Sequence, residues 1–447
     1  MRYPPPIMAR ILIVNGRIID PASGLDRVAD LAIDQGRIVE IGPKLSRLPA
    51  DEIIDAEGCL VTPGLIDPHV HLREPGNERA ETIASGTRAA VEGGFTTVCC
   101  MPNTTPALDN DAMVHFVRAR TETTGSCRVY PVCAISKGRR GDELAEIALM
   151  ARAGACGFSD DGDCVASAGL MSRALATVKP TGKAIMQHCQ EPTMTRGGVM
   201  HAGIVSTRLD LGGWPRAAEE IIIDRDVRLN RNIGCKYHVQ HISSGESVNI
   251  IRRARAEGQP VSGEATPHHL LLTCDLIETS GYDPRYKMNP PLREKSDIDA
   301  IKLGIADKTI TVLGTDHAPH PAETKEVPFD SASFGLVGLE TAVPLYAEAL
   351  VHGSVIDWPR MIAMMTIEPA RLCGLEVMGL GMLRVGGPAD VTVIDPDAEW
   401  TITRKTLAGQ SFNTPFMGRS VRGRAVAVVV AGEVKLARTR GLAFAQA

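Results

Sequence analysis

Residues 64–73 read Gly64-Leu-Ile-Asp-Pro-His-Val-His-Leu-Arg73, an apolar run that ends by delivering two histidines one residue apart. In an extended strand residues i and i+2 point to the same face, so His69 and His71 can aim both imidazoles at one point while Val70 faces away. That is a metal-binding geometry. Taken alone it is weak, because two surface histidines in a strand are an ordinary accident. Its weight comes from the rest of the chain, where further His and Asp residues stand at the ends of other apolar runs.

Outward from this stretch, over about residues 63–380, strand-like runs alternate with Ala-rich helical stretches. The run 96–101 follows a helical 81–92, 184–188 follows 171–178, 237–242 precedes 247–257, and 311–316 closes the series. Such alternation predicts parallel strands with helical crossovers, and the length suits a (β/α)8 TIM-type barrel with insertions. An open doubly wound sheet is the competing fold. No G-x-G-x-x-G follows the first strand and there is no P-loop, so a nucleotide-binding version has no support.

Both ends of the chain differ from this middle. Residues 10–16, 17–20, 30–36 and 37–42 are short β-branched runs punctuated by Asn15-Gly16 and Gln35-Gly36, which read as hairpin turns. The texture returns in 389–395 and 421–432. The expectation is one small β-sandwich formed by 1–62 with 381–447, and a metal-dependent hydrolase barrel over 63–380.

Composition narrows the function. A net charge of -5, with 44% hydrophobic and 23% charged residues, gives no basic footprint for nucleic acid and no polybasic membrane patch. The eleven cysteines are scattered through apolar runs without C-x-x-C, as reduced buried thiols are. Residues 1–7 lack the apolar core of a signal peptide and no apolar run approaches the length of a membrane span, so the expected location is the cytoplasm.

A barrel demands chemistry at the C-terminal ends of its strands. His69 and His71, Asn103, Asp160 and Asp161, His188, His241 and Asp316 all obey this. Each has a bland reading: a lone His188 or His241 is a hydrogen-bonded core histidine, Asp316 a helix N-cap, and Asp160-Asp161-Gly162 a turn. Taken together they would leave several unpaired polar groups in one mouth, which favours metal. One cation would take His69, His71 and Asp316, the other His188 and His241, with a carboxylate between them. Imidazole and carboxylate ligands suit zinc. Paired cations lower the pKa of water from about 15.7 to about 7, which implies hydrolysis of a carbonyl compound.

The segments Gly64 to Gly76, Met101-Pro-Asn-Thr104, Gly157-Phe-Ser-Asp-Asp-Gly162, Met288-Asn-Pro-Pro-Leu-Arg293 and Gly314-Thr-Asp-His-Ala-Pro-His320 resemble the dihydroorotases of the class I bacterial type, in the cyclic amidohydrolase superfamily. The resemblance runs to Gly387-Pro-Ala-Asp-Val and so covers nearly the whole chain. It implies reversible cyclisation of N-carbamoyl-L-aspartate to (S)-dihydroorotate in pyrimidine synthesis, with two Zn2+ per subunit and the second site not necessarily filled. It also implies roles: His69 and His71 on the first metal, Asp161 bridging, His188 and His241 on the second, and Asp316 as ligand and proton carrier. Arg73, Asn103, Asn289 and His320 would hold substrate together with His71, while Phe334 and Gly335 close on it. Arg73 offers a carboxylate a planar fork, two residues beyond His71 and on the same strand face.

Hydantoinases (dihydropyrimidinases), allantoinases and some dihydroorotases are similar but place a carbamylated lysine between the metals. Residues 156–162 contain no Lys. Gln190 stands where such relatives often carry an acidic residue, and Asp161 is preferred to Asp160 by its distance from His188. The alternatives are another cyclic amidohydrolase, or a non-catalytic subunit of aspartate transcarbamoylase. The resemblance further implies a homodimer and allows association with that transcarbamoylase.

Overall fold

The structure is a computed structural model that describes residues 9–438 and the short backbone strand 442–444. The N-terminal stretch 1–7 and the last residues of the expected β-rich unit lie outside the described residues.

The chain opens with strands β1 (Ile11–Asp20), β2 (Leu25–Asp34), β3 (Arg37–Gly42), β4 (Glu52–Asp55) and β5 (Leu60–Pro63). Asn15-Gly16 is not a hairpin turn: β1 runs straight through it with a shift in register against β2. The break divides the partners of β1. Its first half, Ile11 to Val14, pairs in parallel with β4, and Arg17 and Ile18 pair in parallel with β5. Asn15 takes a left-handed φ of 64°, and a Cβ at residue 16 would sit 2.4 Å from Val61 Cγ2, so glycine is required where the strand changes neighbour. Gln35-Gly36 does form the expected turn between β2 and β3.

The barrel follows: β6 (Leu65–Val70), β7 (Phe95–Cys100), β8 (Arg128–Cys133), β9 (Gly157–Phe158) and β10 (Ala184–Gln187). After a small parallel ribbon of β11 (Met200–His201) and β12 (Gly213–Trp214) come β13 (Lys236–Val239), β14 (Val261–Ala265) and β15 (Val312–Leu313). Eight parallel strands lie in the order β15-β14-β13-β10-β9-β8-β7-β6. The seam between β6 and β15 is bridged at Val70 and His317, with the His71 amide donating to the His317 carbonyl at 2.9 Å.

Side-chain alternation divides the barrel core. Val98 and Cys100 of β7 join the large apolar cluster with the helices, whereas Cys99 and Met101 join a second cluster with Ile66, Val132, Met186 and Val312. Helix Ile367–Cys373 contributes Ala370, Leu372 and Cys373 to that second cluster. None of the eleven cysteines is in a disulfide, and ten are buried.

The chain then returns to the first sheet as β16 (Val391–Thr401), β17 (Ser420–Val430) and β18 (Glu433–Ala437), and β19 (Leu442–Phe444) pairs with β4. β16 lies antiparallel to β5, so both ends of the chain build one nine-stranded sheet with its own core of Ile13, Ile18, Leu31, Val61, Val393 and Val429. Among the described residues no helix is long and apolar enough to cross a membrane.

Candidate metal centre and active site

Every expected ligand lies at, or just past, the C-terminal end of a barrel strand: His69 and His71 at β6, Asp161 after β9, His188 after β10, His241 after β13 and Asp316 after β15. All six are buried, at 0% to 7% exposure. The strand argument for His71 and Arg73 needs correction, because β6 ends at Val70. Arg73 reaches the mouth through a left-handed turn (φ 60°), not along a strand face. His241 (φ 30°) and Asp316 (φ 50°) share that uncommon region, so local backbone strain accompanies three of the site residues.

The side chains converge. His71 Nε2 lies 3.0 Å from Asp316 Oδ1 and 3.3 Å from Asp161 Oδ2, and His69 Nε2 lies 3.4 Å from Asp161 Oδ1 and 3.5 Å from Asp316 Oδ1. On the other side His188 Nδ1 is 3.4 Å, and His241 Nε2 3.6 Å, from Asp161 Oδ1, with those two ring nitrogens 2.7 Å apart. Asp161 thus stands among all four imidazoles. Asp160 faces elsewhere, accepting hydrogen bonds from the Ile135 and Ser136 amides and the Ser136 hydroxyl.

These residues suit a divalent cation. His69, His71 and Asp316 offer ligand atoms within 4.8 Å of one another, as do His69, Asp161 and His241. His69 Nε2 and Asp161 Oδ1, both buried, have no hydrogen-bond partner among the described residues. Charge points the same way: among the described residues Asp161, Asp316 and the buried Glu264 find only histidines within ion-pair distance, and no Lys or Arg. Burial would raise the Asp316 carboxyl, yet His69 and His71 hold it below the usual carboxylate range.

The pocket above this cluster is lined by His71, Arg73, Asn103, Asn289, His320, Phe334 and Gly335 together with Asp161, Gly162, His188, His241, Asp316 and Ala318. Asn103 Oδ1 is 2.8 Å from His71 Nδ1, and Arg73 Nε donates to the Pro319 carbonyl at 3.2 Å. Burial and the neighbouring Arg73 push His320 down to about 3, so it is neutral at physiological pH. Its Nε2, 2.7 Å from the Phe334 carbonyl, therefore carries the proton that ties it to the loop ahead of Gly335. Gln190 sets its amide oxygen 2.8 Å from His188 Nε2.

The sequence reading missed three supporting residues. Glu264, on β14, lies 2.5 Å from His69 Nδ1 and 3.1 Å from His238 Nε2. Its segment Val261-Ser-Gly-Glu-Ala265 has too few apolar residues to announce a strand, although an acid at a strand end was the available signal. Asp67 accepts from the Thr315 hydroxyl (2.5 Å) and the His69 amide (3.0 Å), binding β6 to the loop that carries Asp316. Asn413, far away in sequence, donates to the Ala318 and Gly335 carbonyls and accepts from the His320 amide.

Residues 58–247 match the family model described as Dihydro-orotase-like, and 248–435 match one described as Amidohydrolase family. The chain is 46% identical over 95% of its length to a protein named Dihydroorotase from Pelotomaculum thermopropionicum, 98% of which is covered. It is 45% identical, with the same two coverages, to another of that name from Trichlorobacter lovleyi. Among solved structures it resembles L-hydantoinase (dihydropyrimidinase) from Arthrobacter aurescens, with a TM-score of 0.85, 26% identity and 98% of each chain covered. A D-hydantoinase (dihydropyrimidinase) from Thermus sp. gives a TM-score of 0.79 at 27% identity, with 96% of this chain and 95% of that one covered.

Proposed function

Because this chain belongs to the dihydroorotase family, we propose that its barrel mouth interconverts N-carbamoyl-L-aspartate and (S)-dihydroorotate through two Zn2+ ions, as a step of pyrimidine synthesis. The observation that carries this reading is Asp161: a carboxylate sits among four imidazoles, in a pocket whose described lining contains no lysine. The hydantoinase-type relatives use a carbamylated lysine there.

His69, His71 and Asp316 would hold one ion, His188 and His241 the other, and Asp161 both. When bound, such ions polarise a carbonyl oxygen and lower the pKa of water from about 15.7 to about 7. The rest falls to side chains. Arg73 meets the substrate carboxylate with its planar fork, and Asn103 and Asn289 add hydrogen bonds. In hydrolysis a water oxygen bonds to the ring carbonyl carbon, the bond from that carbon to the ring nitrogen breaks, and the Asp316 carboxylate carries the proton from the water to that nitrogen. Cyclisation reverses each step. Phe334 and Gly335, in a loop tied to His320 and Asn413, close over the ring.

We take 63–380 as the catalytic unit and 1–62 with 381–447 as its β-rich companion. A cytoplasmic homodimer, open to association with aspartate transcarbamoylase, is what the resemblance adds. A non-catalytic subunit is disfavoured because no ligand has been lost.

Metal analysis with parallel assays on dihydroorotate, carbamoyl-aspartate, hydantoin and allantoin tests the reading. Two divalent ions per chain and turnover of the first two substrates, with the others at least about 100-fold slower, are expected. Faster turnover of hydantoin or allantoin would overturn it.

A further inference from the structure

Glu264 is a buried carboxylate hydrogen-bonded to His69, His238 and the His241 amide, and these surroundings fix where protons must lie. An ionised carboxylate only accepts hydrogen bonds. The His241 amide donates to its Oε1 at 3.1 Å, and His69 Nδ1, 2.5 Å from the same oxygen, must carry a proton. The lone pair of His69 then lies on Nε2, the buried atom that lacks a hydrogen-bond partner among the described residues and faces Asp161 and Asp316.

The pattern continues down the barrel. His238 Nε2 is 3.1 Å from Glu264 Oε2, so it too carries its proton there, which leaves the Nδ1 lone pair to accept from the Ser262 hydroxyl at 2.8 Å. The sheet register imposes this arrangement: His238 on β13 is the direct partner of Ser262 on β14, and Ser262 and Glu264, two apart, share a face. Ser262 lines a groove at the opposite end of the barrel, beside Lys236 and Thr311.

We propose that Glu264, His238 and Ser262 are positioning residues, a hydrogen-bonded chain through the barrel interior that locks His69 in the tautomer presenting Nε2 to a divalent cation. The inference rests on the reading above that His69 holds such an ion. Partners of this kind orient a ligating imidazole and raise its basicity. The competing account, that the three residues merely fill the barrel with satisfied polar groups, predicts effects on stability alone.

Three variants separate the two accounts: Glu264→Gln, which keeps the volume and removes the charge; His238→Leu, which removes the N–H; and His238→Gln, whose amide nitrogen can donate from the place of Nε2. Zn2+ affinity is measured by chelator competition, unfolding on the metal-free proteins, and the imidazole N–H protons by low-field NMR. Glu264→Gln should weaken Zn2+ about 10- to 100-fold and remove the low-field His69 resonance, with the apoprotein still folding cooperatively. His238→Leu should lose affinity in the same direction, and His238→Gln should recover most of it. Parent-like affinity in a folded Glu264→Gln overturns the proposal, as does a Gln at 238 no better than Leu. Should Glu264→Gln fail to fold, the pair at 238 decides alone. A parent that binds no divalent ion would instead refute the functional reading, and this inference with it.

Discussion

Asp316 combines a left-handed backbone, a place among the ligand atoms and a carboxylate held ionised by His69 and His71. Asp316→Asn keeps the shape but cannot ferry a proton, so kcat should fall by about 10²- to 10⁴-fold in both directions, or further if metal is lost. Steady-state kinetics with dihydroorotate and carbamoyl-aspartate checks this, and near-parental kcat would remove Asp316 from the role. Arg73→Lys keeps the charge and loses the fork, so KM for dihydroorotate should rise while metal content stays constant. Loss of metal instead would show that Arg73 supports the centre. At this scale the sequence was informative where residue type and strand end coincided, as at His69, His188, His241 and Asp316. It preferred Asp161 to Asp160 only by spacing from His188, because what turns Asp160 away is a contact with Ser136, a residue on a different loop. Asn413 gave no local signal at all, since its task exists only once the chain has folded back.

Elements were legible through periodicity, and their junctions were not. The strand and helix runs read from the sequence appear within a few residues of expectation, because most buried parallel strands are continuously apolar, whereas β14, with Ser262, Gly263 and Glu264 inside it, gave no such run. The Asn15-Gly16 pair misled because the same dipeptide serves a two-residue hairpin and a break in a long strand; only the neighbours, Val61 and Ala56, decide. A similar constraint governs Gly64, the single residue between β5 and β6. A Cβ there would lie 2.1 Å from Thr96 Oγ1 and 2.4 Å from its Cγ2. Gly64→Ala must push β6 off β7, so it should destabilise the protein by about 1–3 kcal/mol or more. Urea unfolding measures this, and a midpoint equal to the parent's would show that the junction yields freely.

Across the whole molecule, stability should carry a signature of Lys325. Its ammonium is buried, donating to the Ser333 carbonyl at 2.7 Å and the Lys287 carbonyl at 3.2 Å, and burial with the nearby Lys287 pushes it down to about 7. An unfolded lysine titrates near about 10.4, so between these values the unfolded chain binds the extra proton and folding stability rises with pH. Below about 7 both states are protonated and that gain is absent. Lys325→Met should therefore be more stable than the parent at pH 7, by about 1–3 kcal/mol, and the difference should shrink towards pH 10. Denaturation midpoints at the two pH values test this, and a difference independent of pH would assign Lys325 a purely packing role.

The pairing of β5 with β16 has a consequence in time. Thr62 and Thr392, joined by a hydrogen bond across those strands, are 330 residues apart. At about 5–20 residues per second, a ribosome needs roughly 15–65 seconds to make the partner that β5 awaits. During that interval the first five strands are made but an apolar edge stands open, while the barrel strands that follow can pair with their successors as they emerge. A chain ended after residue 380 holds this waiting state permanently, and should aggregate on release from the ribosome unless a chaperone or a supplied 381–447 segment covers the edge; sedimentation of the translation products, with and without that segment, reads the outcome directly.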